Sequence, residues 1–388
     1  MQQIRSLSQT TKLVIATAFV LYSAYNIVFT ALQDYILFIS SNAQALGISF
    51  GIFLFSSVIS RFLSGWILEK IDDAVALIIG NVVLTISLGV YPFTSQVAVI
   101  YAIRAVQGFG WALSTVTILT MIAENTHSSR VSNALGYLNG FGSLSLLIFP
   151  ALGSWIVTIE TAETFTVCFL LAVGLSVLSS GLSFYAWRKI KPVISHDVPM
   201  SGFPERETIV PTISVFFLFM VYGILASYSP EIASRNEVWN PGLFFSILAF
   251  GQIIGSIIAG VITGSSRYRV VATIGGGFTL FGTFLLAATS GIIVYILSAF
   301  IIGVGLAFGG LALNSYVSMV SVKSKAKGMA LYSAGGDMSI AVGSFSTAVL
   351  LGLGWGIPTI LSLFAITALI SSIFSSLVLD TKHITNSS

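Results

Sequence analysis

The chain has 388 residues, of which 55% are hydrophobic and 8% charged, with a formal charge of +3. An average soluble domain carries about 25% charged residues, so a water-facing surface of ordinary size is excluded and lipid has to be the solvent for most of the chain. The basic residues are dispersed over short connectors without forming a stripe, which argues against a nucleic-acid partner. One cysteine, Cys168, allows neither an intramolecular disulfide nor a cysteine-rich metal site. The three histidines, His127, His196 and His383, stand far apart in polar connectors and the tail, so no metal and no cofactor is expected.

A bilayer span needs about 20 apolar residues. Runs of that kind lie at 13–38, 46–69, 74–93, 97–123, 131–158 and 164–187, then at 209–230, 241–264, 269–289, 291–320, 326–351 and 355–379. The first run follows Arg5 and Lys12, is too long for a signal peptide and has no small-residue cleavage pattern; it reads as a first span. Between the two sets of six lies the only long polar connector, 188–208, with Pro192, Pro199 and Pro204. The expected domains are therefore 1–187, a linker 188–208, and 209–388 with a short tail.

With the amino terminus assigned to the cytoplasm, Arg5, Lys12, Lys70, Arg130, Arg188, Lys189, Lys191, Arg206, Arg267, Arg269, Lys323, Lys325, Lys327 and Lys382 all fall on that side. Only Arg235 falls opposite, and Arg61 and Arg104 sit inside spans. Such an asymmetry predicts both termini in the cytoplasm. Sliding the chain by 195 positions aligns 43–67 with 238–262, where Gly47, Phe50, Ile52, Phe55, Ile59, Gly65 and Ile67 meet identical residues. Apolar helices share letters by chance, but an offset of nearly half the chain predicts duplicated six-helix bundles with a substrate site near the midplane.

Several motifs carry a resemblance. The second span ends in Arg61 to Gly65, then Glu69, Lys70, Asp72 and Asp73; the fourth contains Arg104, Gln107, Gly108 and Gly110. The fifth has Gly136, Pro150 and Gly153, and the eighth opens with Asn240 to Ser246. These resemble signatures of the major facilitator superfamily. The Arg104 to Gly110 pattern is close to that family's, whereas Asp72 and Asp73 replace its usual Gly-Arg pair. The fifth-span spacing is similar to the antiporter motif of drug-efflux members, with Ser145, Phe149 and Ser154 where that motif has glycine. The resemblance implies an all-helical fold of twelve spans in two six-helix bundles related by pseudo-two-fold symmetry. It also implies a monomeric, multi-pass protein of a prokaryotic plasma membrane, and gives Gly65, Glu69, Lys70, Gly108, Gly136, Pro150 and Gly153 conformational roles.

Charged residues inside spans are the candidates for function, because a central arginine costs about 2.5–3.5 kcal/mol on insertion scales. Arg104 either faces a water-filled cavity, holding a substrate anion or a partner carboxylate, or is a buried arginine held by carbonyls and polar neighbours. Asp34, near the end of the first span, is either its partner and a proton carrier or an interfacial aspartate in outside water. Asp337 lies about ten residues into the eleventh span. It is expected to bind and release a proton near neutral pH, unless it is a packing residue satisfied by a neighbouring helix. Arg61 is an anion site or snorkels to the cytoplasmic interface. Tyr22, Tyr25, Asn26, Gln107, Tyr222 and Asn314 are candidates for cavity contacts, although tyrosines near span ends also anchor to headgroups.

The glycines Gly303, Gly305, Gly309 and Gly310 superficially resemble a dinucleotide loop but lie inside an apolar run with no strand before it, so helix packing explains them better. No phosphate-binding Gly-x-x-x-x-Gly-Lys-Ser/Thr run occurs, so transport has to draw on a gradient. The expected function is a secondary transporter of a small organic solute, proton-coupled and exporting. Uptake or exchange of a small organic anion through the membrane arginines is the alternative, and a membrane-embedded enzyme or receptor the remote one.

Overall fold

The computed structural model describes residues 7–68, 70–126, 131–189, 206–263, 267–321 and 325–378. Glu69, the three histidines, connector residues 190–205 and the tail from 379 lie outside the described residues, as do Arg5, Arg130, Lys323 and Lys382. Among the described residues, twelve helices are long and apolar enough to cross a membrane. They are α1 (Gln9–Ser40), α2 (Gln44–Leu68), α3 (Asp73–Val90), α4 (Val97–Glu124), α5 (Val131–Ile156) and α6 (Ala162–Lys189), then α7 (Ile209–Ser227), α8 (Gly242–Thr263), α9 (Tyr268–Ala288), α10 (Ile292–Val320), α11 (Lys325–Gly352) and α12 (Ile357–Val378). No strand occurs among the described residues. In hydrocarbon every backbone N–H and C=O has to be satisfied within its own segment, and the helix does this. Large apolar side chains such as Ile86, Trp155, Ile257, Val261 and Ile293 stay exposed on the helices, as lipid-facing surface requires.

The ends of the helices follow from local chemistry. Ser8 caps α1 by accepting the Thr11 N–H at 3.0 Å, and Ser41 closes it in the left-handed conformation at φ 50°. Asp72, which departs from the family pattern, caps α3: one carboxylate oxygen accepts from the N–H groups of Ala74 and Val75 at 2.9 and 3.2 Å. The predicted seventh span runs to 230, but α7 stops at Ser227. Pro230, in the first turn of a short helix Ser229–Arg235, cannot continue the preceding ladder. Arg235 then donates to the carbonyls of Leu286 and Ala287 at 2.7 and 2.8 Å, capping the carboxyl end of α9. On the same short helix, burial raises the Glu231 carboxyl above its ordinary range.

The chain divides into two compact units, residues 1–41 with 52–197, and 42–51 with 198–388. In the first, α1 packs on α5 and α6, and α3 on α4 and α6; in the second, α7 packs on α11 and α12, and α9 on α10 and α12. The offset of 195 recurs in the tightest helix crossings. A Cβ at Gly108 would collide with the Phe53 carbonyl, and one at Gly303 with the Leu248 carbonyl, 195 positions further on in both partners. Gly80 meets Ser114 and Gly110, just as Gly275 meets Gly309 and Gly305. The offset of the sequence repeat thus recurs in close backbone contacts elsewhere in the two units, at positions where a side chain would collide. Within the second unit, residues of the 42–51 segment use the same device: Gly47 lies against the Ser344 carbonyl and the Tyr228 hydroxyl, and Gly51 against the Phe345 ring.

Hydroxyl ladders fasten the helices where glycine does not. Asn81 of α3 donates to Ser179 and Ser183 of α6 at 3.1 and 2.9 Å and accepts from Ser114 of α4 at 2.9 Å. Thr85 pairs with Ser176 at 2.7 Å. Bonds of this kind contribute about 0.6 kcal/mol each on average in a membrane interior.

Gly108→Val is expected to cost about 1–3 kcal/mol, because the obstacle is backbone and the helices have to part. Gly136→Ala, with nothing within 4 Å of its Cβ position, is expected to be neutral or to gain up to about 1 kcal/mol of helix propensity. Thermal unfolding of the detergent-purified protein measures both; equal loss in the two variants would contradict the assignment.

Candidate functional site

The polar residues of the first unit collect along α1, α2 and α4. Arg104 is 3% exposed, and its guanidinium Nη1 donates to Gln107 Oε1 at 3.1 Å. The same oxygen accepts the Tyr91 hydroxyl at 2.8 Å. Tyr91 belongs to the 3-10 turn Tyr91–Phe93 that ends α3 and is fully buried. Arg104 also lies over the face of Phe53 of α2, its guanidinium carbon 5.0 Å from the ring centroid. Arg104 and Gln107 stand one turn apart on α4, so one face of that helix supplies both a cation and its acceptor.

Rings continue this line. Tyr25 stacks on Phe53 with centroids 5.4 Å apart, lies 4.5 Å from Trp111, and meets Phe29 at 5.7 Å. Tyr22, one turn earlier on α1, is 5.5 Å from Trp111. Arg61 of α2, seven residues before the end of that helix, lies within electrostatic reach of the Tyr22 hydroxyl. Tyr22, Tyr25, Arg61 and Trp111 are each partly exposed, while Phe53 is buried. Trp111, Phe53 and Tyr91 were not singled out from the sequence. The signal for Trp111 was its position four residues after Gln107 and seven after Arg104, on the same helix face.

The other candidates are placed as follows. Asn26 is buried and donates to Ser145 of α5 at 3.0 Å. Thr30, one turn on, pairs with Ser154 at 2.7 Å and donates to the Pro150 carbonyl at 3.1 Å. Two of the three positions where the antiporter-type motif has glycine thus carry the hydroxyls that join α5 to α1. Gly153 lies against the Ile27 carbonyl, and Gly136 has open space around it. Asp34 is buried at 9% exposure, and the charged neighbour that bears on it is Glu160, with the Cys168 thiol in the same neighbourhood. Asp34 and Arg104, offered as partners by the sequence, are not paired.

In the second unit Asp337 is partly exposed in α11, with its Oδ2 screened from solvent. One turn before it, Tyr332 donates to the Gly310 carbonyl at 2.8 Å, tying α11 to α10. Tyr222 is partly exposed, 6.1 Å from Phe245, and Asn314 is exposed. Gly65 lies within α2, and Lys70 follows that helix as an exposed residue. Among the described residues no group of three His, Cys, Asp or Glu is placed to hold a metal ion. A separate cavity of about 340 Å³ between α1 and α5 is lined by Ile15, Phe19, Tyr137 and Phe141, with Lys12 its one charged side chain.

Twelve spans in two units, with charged side chains buried within them, are the form of a membrane transporter. The model described as Major Facilitator Superfamily matches residues 13–237, more than half of the chain, and the chain belongs to that superfamily. The relatives and solved structures to which it is similar are described as transporters. Among relatives, the vesicular acetylcholine transporter of Drosophila melanogaster is 25% identical over 258 residues, 63% of this chain and 44% of that protein. The synaptic vesicular amine transporter of Mus musculus is 24% identical over 254 residues, 63% of this chain and 48% of that protein. The matches therefore span less than half the length of these relatives. Among solved structures, a mutant of the nucleoside transporter NupG superposes with a TM-score of 0.79 at 12% identity, covering 96% of this chain and 100% of that one. A POT family transporter in complex with a thioalcohol-conjugated peptide gives 0.79 at 13% identity, covering 97% and 98%. At these identities the likeness shows the fold alone.

Gln107→Leu keeps the volume but removes the acceptor that Arg104 and Tyr91 share. A loss of about 1.5–3 kcal/mol is expected, against about 1 kcal/mol for Tyr91→Phe, which removes only a neutral donor. Denaturant unfolding compares the two; a Gln107 variant no weaker than the Tyr91 variant would show that Gln107 does not seat the guanidinium.

Proposed function

We propose that this superfamily member exchanges protons for a small organic solute and exports the solute from the cytoplasm by alternating access. The observation that carries the reading is Asp337, a carboxyl partly exposed within a spanning helix. A protonated carboxyl is neutral and tolerated at that depth, whereas the ionised form needs water or a cation, so its two states favour different surroundings. A helix that carries it is thereby coupled to the proton gradient. Asp34 supplies a second carboxyl, in the first unit, and the buried Arg104 a fixed positive charge.

Export is supported by the partial antiporter-type pattern at Gly136, Pro150 and Gly153, and the placement of both termini in the cytoplasm by the skewed distribution of lysine and arginine. The protein is read as monomeric and as residing in a prokaryotic plasma membrane. The names of the two relatives describe carriers of acetylcholine and of amines, and an amine is one cargo compatible with a proton exchanger.

Proteoliposomes loaded with a pH-sensitive dye test the coupling. An imposed solute gradient should drive proton movement in the wild type, and Asp337→Asn should reduce it about tenfold or more while Asp337→Glu retains it. Unaltered flux in the asparagine variant would remove Asp337 from the coupling.

A further inference from the structure

We infer that the first unit holds one proton between Asp73, at the start of α3, and Glu124, at the end of α4, and that this proton ties the two helix ends together. The site is separate from Asp337 and Asp34 and does not rest on the transport reading.

The register of the two helices brings these residues together. α3 and α4 run antiparallel and cross closely where Gly80 meets Ser114 and Gly110, and Asn81 accepts from Ser114 at 2.9 Å at the same crossing. Two turns from Gly80 toward the start of α3 stands Asp73, and level with it α4 completes its last turns. Ala74, Ile118, Met121 and Ile122 share one buried cluster there. Helical side chains lean toward the amino end of their helix, so Glu124 reaches back from the end of α4 while Asp73 leans out from the start of α3. The two carboxyl groups come within hydrogen-bonding reach, and Asp72 is a further negative neighbour.

Asp73 is 4% exposed, and neither of its carboxyl oxygens, both screened from solvent, receives a hydrogen bond. The N–H groups of the first turn, which could serve a carboxylate, are taken. Asp72 accepts those of Ala74 and Val75 through its side chain and that of Ala76 through its backbone carbonyl. The cations near this end are Lys70 in the preceding turn, Lys12 of α1, and Arg188 and Lys189 of α6, with the Arg188 guanidinium lying over the Phe184 ring. Among the described residues none of them gives Asp73 a donor.

An ionised carboxylate with neither donors nor water carries a large desolvation cost, and a second acid beside it adds to that cost. One proton removes the charge. Placed on an Asp73 oxygen, its O–H donates to Glu124, which is exposed and stays hydrated as the anion. A hydrated metal cation needs room that the screened oxygens do not offer, whereas a proton needs none.

Thermal unfolding of the detergent-purified full chain from about pH 5.5 to about pH 8.5 tests the site in wild type, Asp73→Asn and Glu124→Gln. In the unfolded chain both carboxyls release their protons at about pH 4. The folded pair keeps one above that pH, so its contribution is fully present at the acid end and is lost as pH rises. The asparagine amide donates to Glu124 at every pH. Relative to that variant, the wild-type unfolding constant is expected to rise at least about tenfold across the range, the effect of one proton released over one pH unit. Glu124→Gln should remove the slope as well, because its amide N–H serves an ionised Asp73. Residue 124 is exposed and tolerates that change, so the comparison stands even where Asp73→Asn folds poorly. The same pH dependence in wild type and either variant, or a stability that follows added Mg²⁺ at fixed pH rather than pH itself, would overturn the shared proton.

Discussion

The governing constraint is that hydrocarbon offers no hydrogen bonds. Each polar group in a span has to find its partner within the chain, and an unsatisfied one costs several kcal/mol. The helix settles this for the backbone. For side chains the solution is to pair helices through hydroxyls and amides, as Asn81 does with Ser114, Ser179 and Ser183 and as Asn26 and Thr30 do with Ser145 and Ser154. Arg104 is the extreme case, because its charge adds to the cost of its donors. It is kept by an amide oxygen, a ring face and the neighbouring Tyr91 hydroxyl.

The same constraint explains why glycine carries so much of the architecture. In lipid there is no hydrophobic force to draw one helix onto another, so association depends on close van der Waals approach and on the polar pairs described above. Gly108 on the Phe53 carbonyl and Gly303 on the Leu248 carbonyl are the closest form of that approach, and the offset between them is the offset of the sequence repeat. Seven shared letters over 43–67 and 238–262 are weak as letters; the same offset of 195 in glycine crossings outside that stretch, Gly80 with Gly275 and Gly108 with Gly303, gives it structural support. The serines at 145 and 154 belong to the same economy. They stand where the antiporter-type motif has glycine, and each exchanges closeness for a hydrogen bond to α1.

Function enters where the rule is relaxed. A transporter has to leave some polar surface open within its spans, and Arg61, Tyr22, Tyr25 and Trp111 in one unit and Asp337 in the other keep partly exposed surface. Asn26, grouped with these from the sequence, serves as a strut between α1 and α5, and its amide is occupied.

The sequence by itself determined the solvent, the number and extent of the spans, and the superfamily, because each depends on composition and local motif. It also determined which charges break the apolar runs. It did not determine which way those charges point. In so apolar a chain the helical period does not separate a lipid-facing side from a protein-facing one, so the neighbours of Asp34, Arg104 and Arg61 were open until the helices were assembled. Only the tertiary structure buried Asp34 without pairing it to Arg104, gave the Gln107 amide oxygen to both Arg104 and Tyr91, and set Asn26 against Ser145. The bonds of Tyr91 to Gln107 and of Asn26 to Ser145 join residues of different elements, which no local pattern in the sequence pairs.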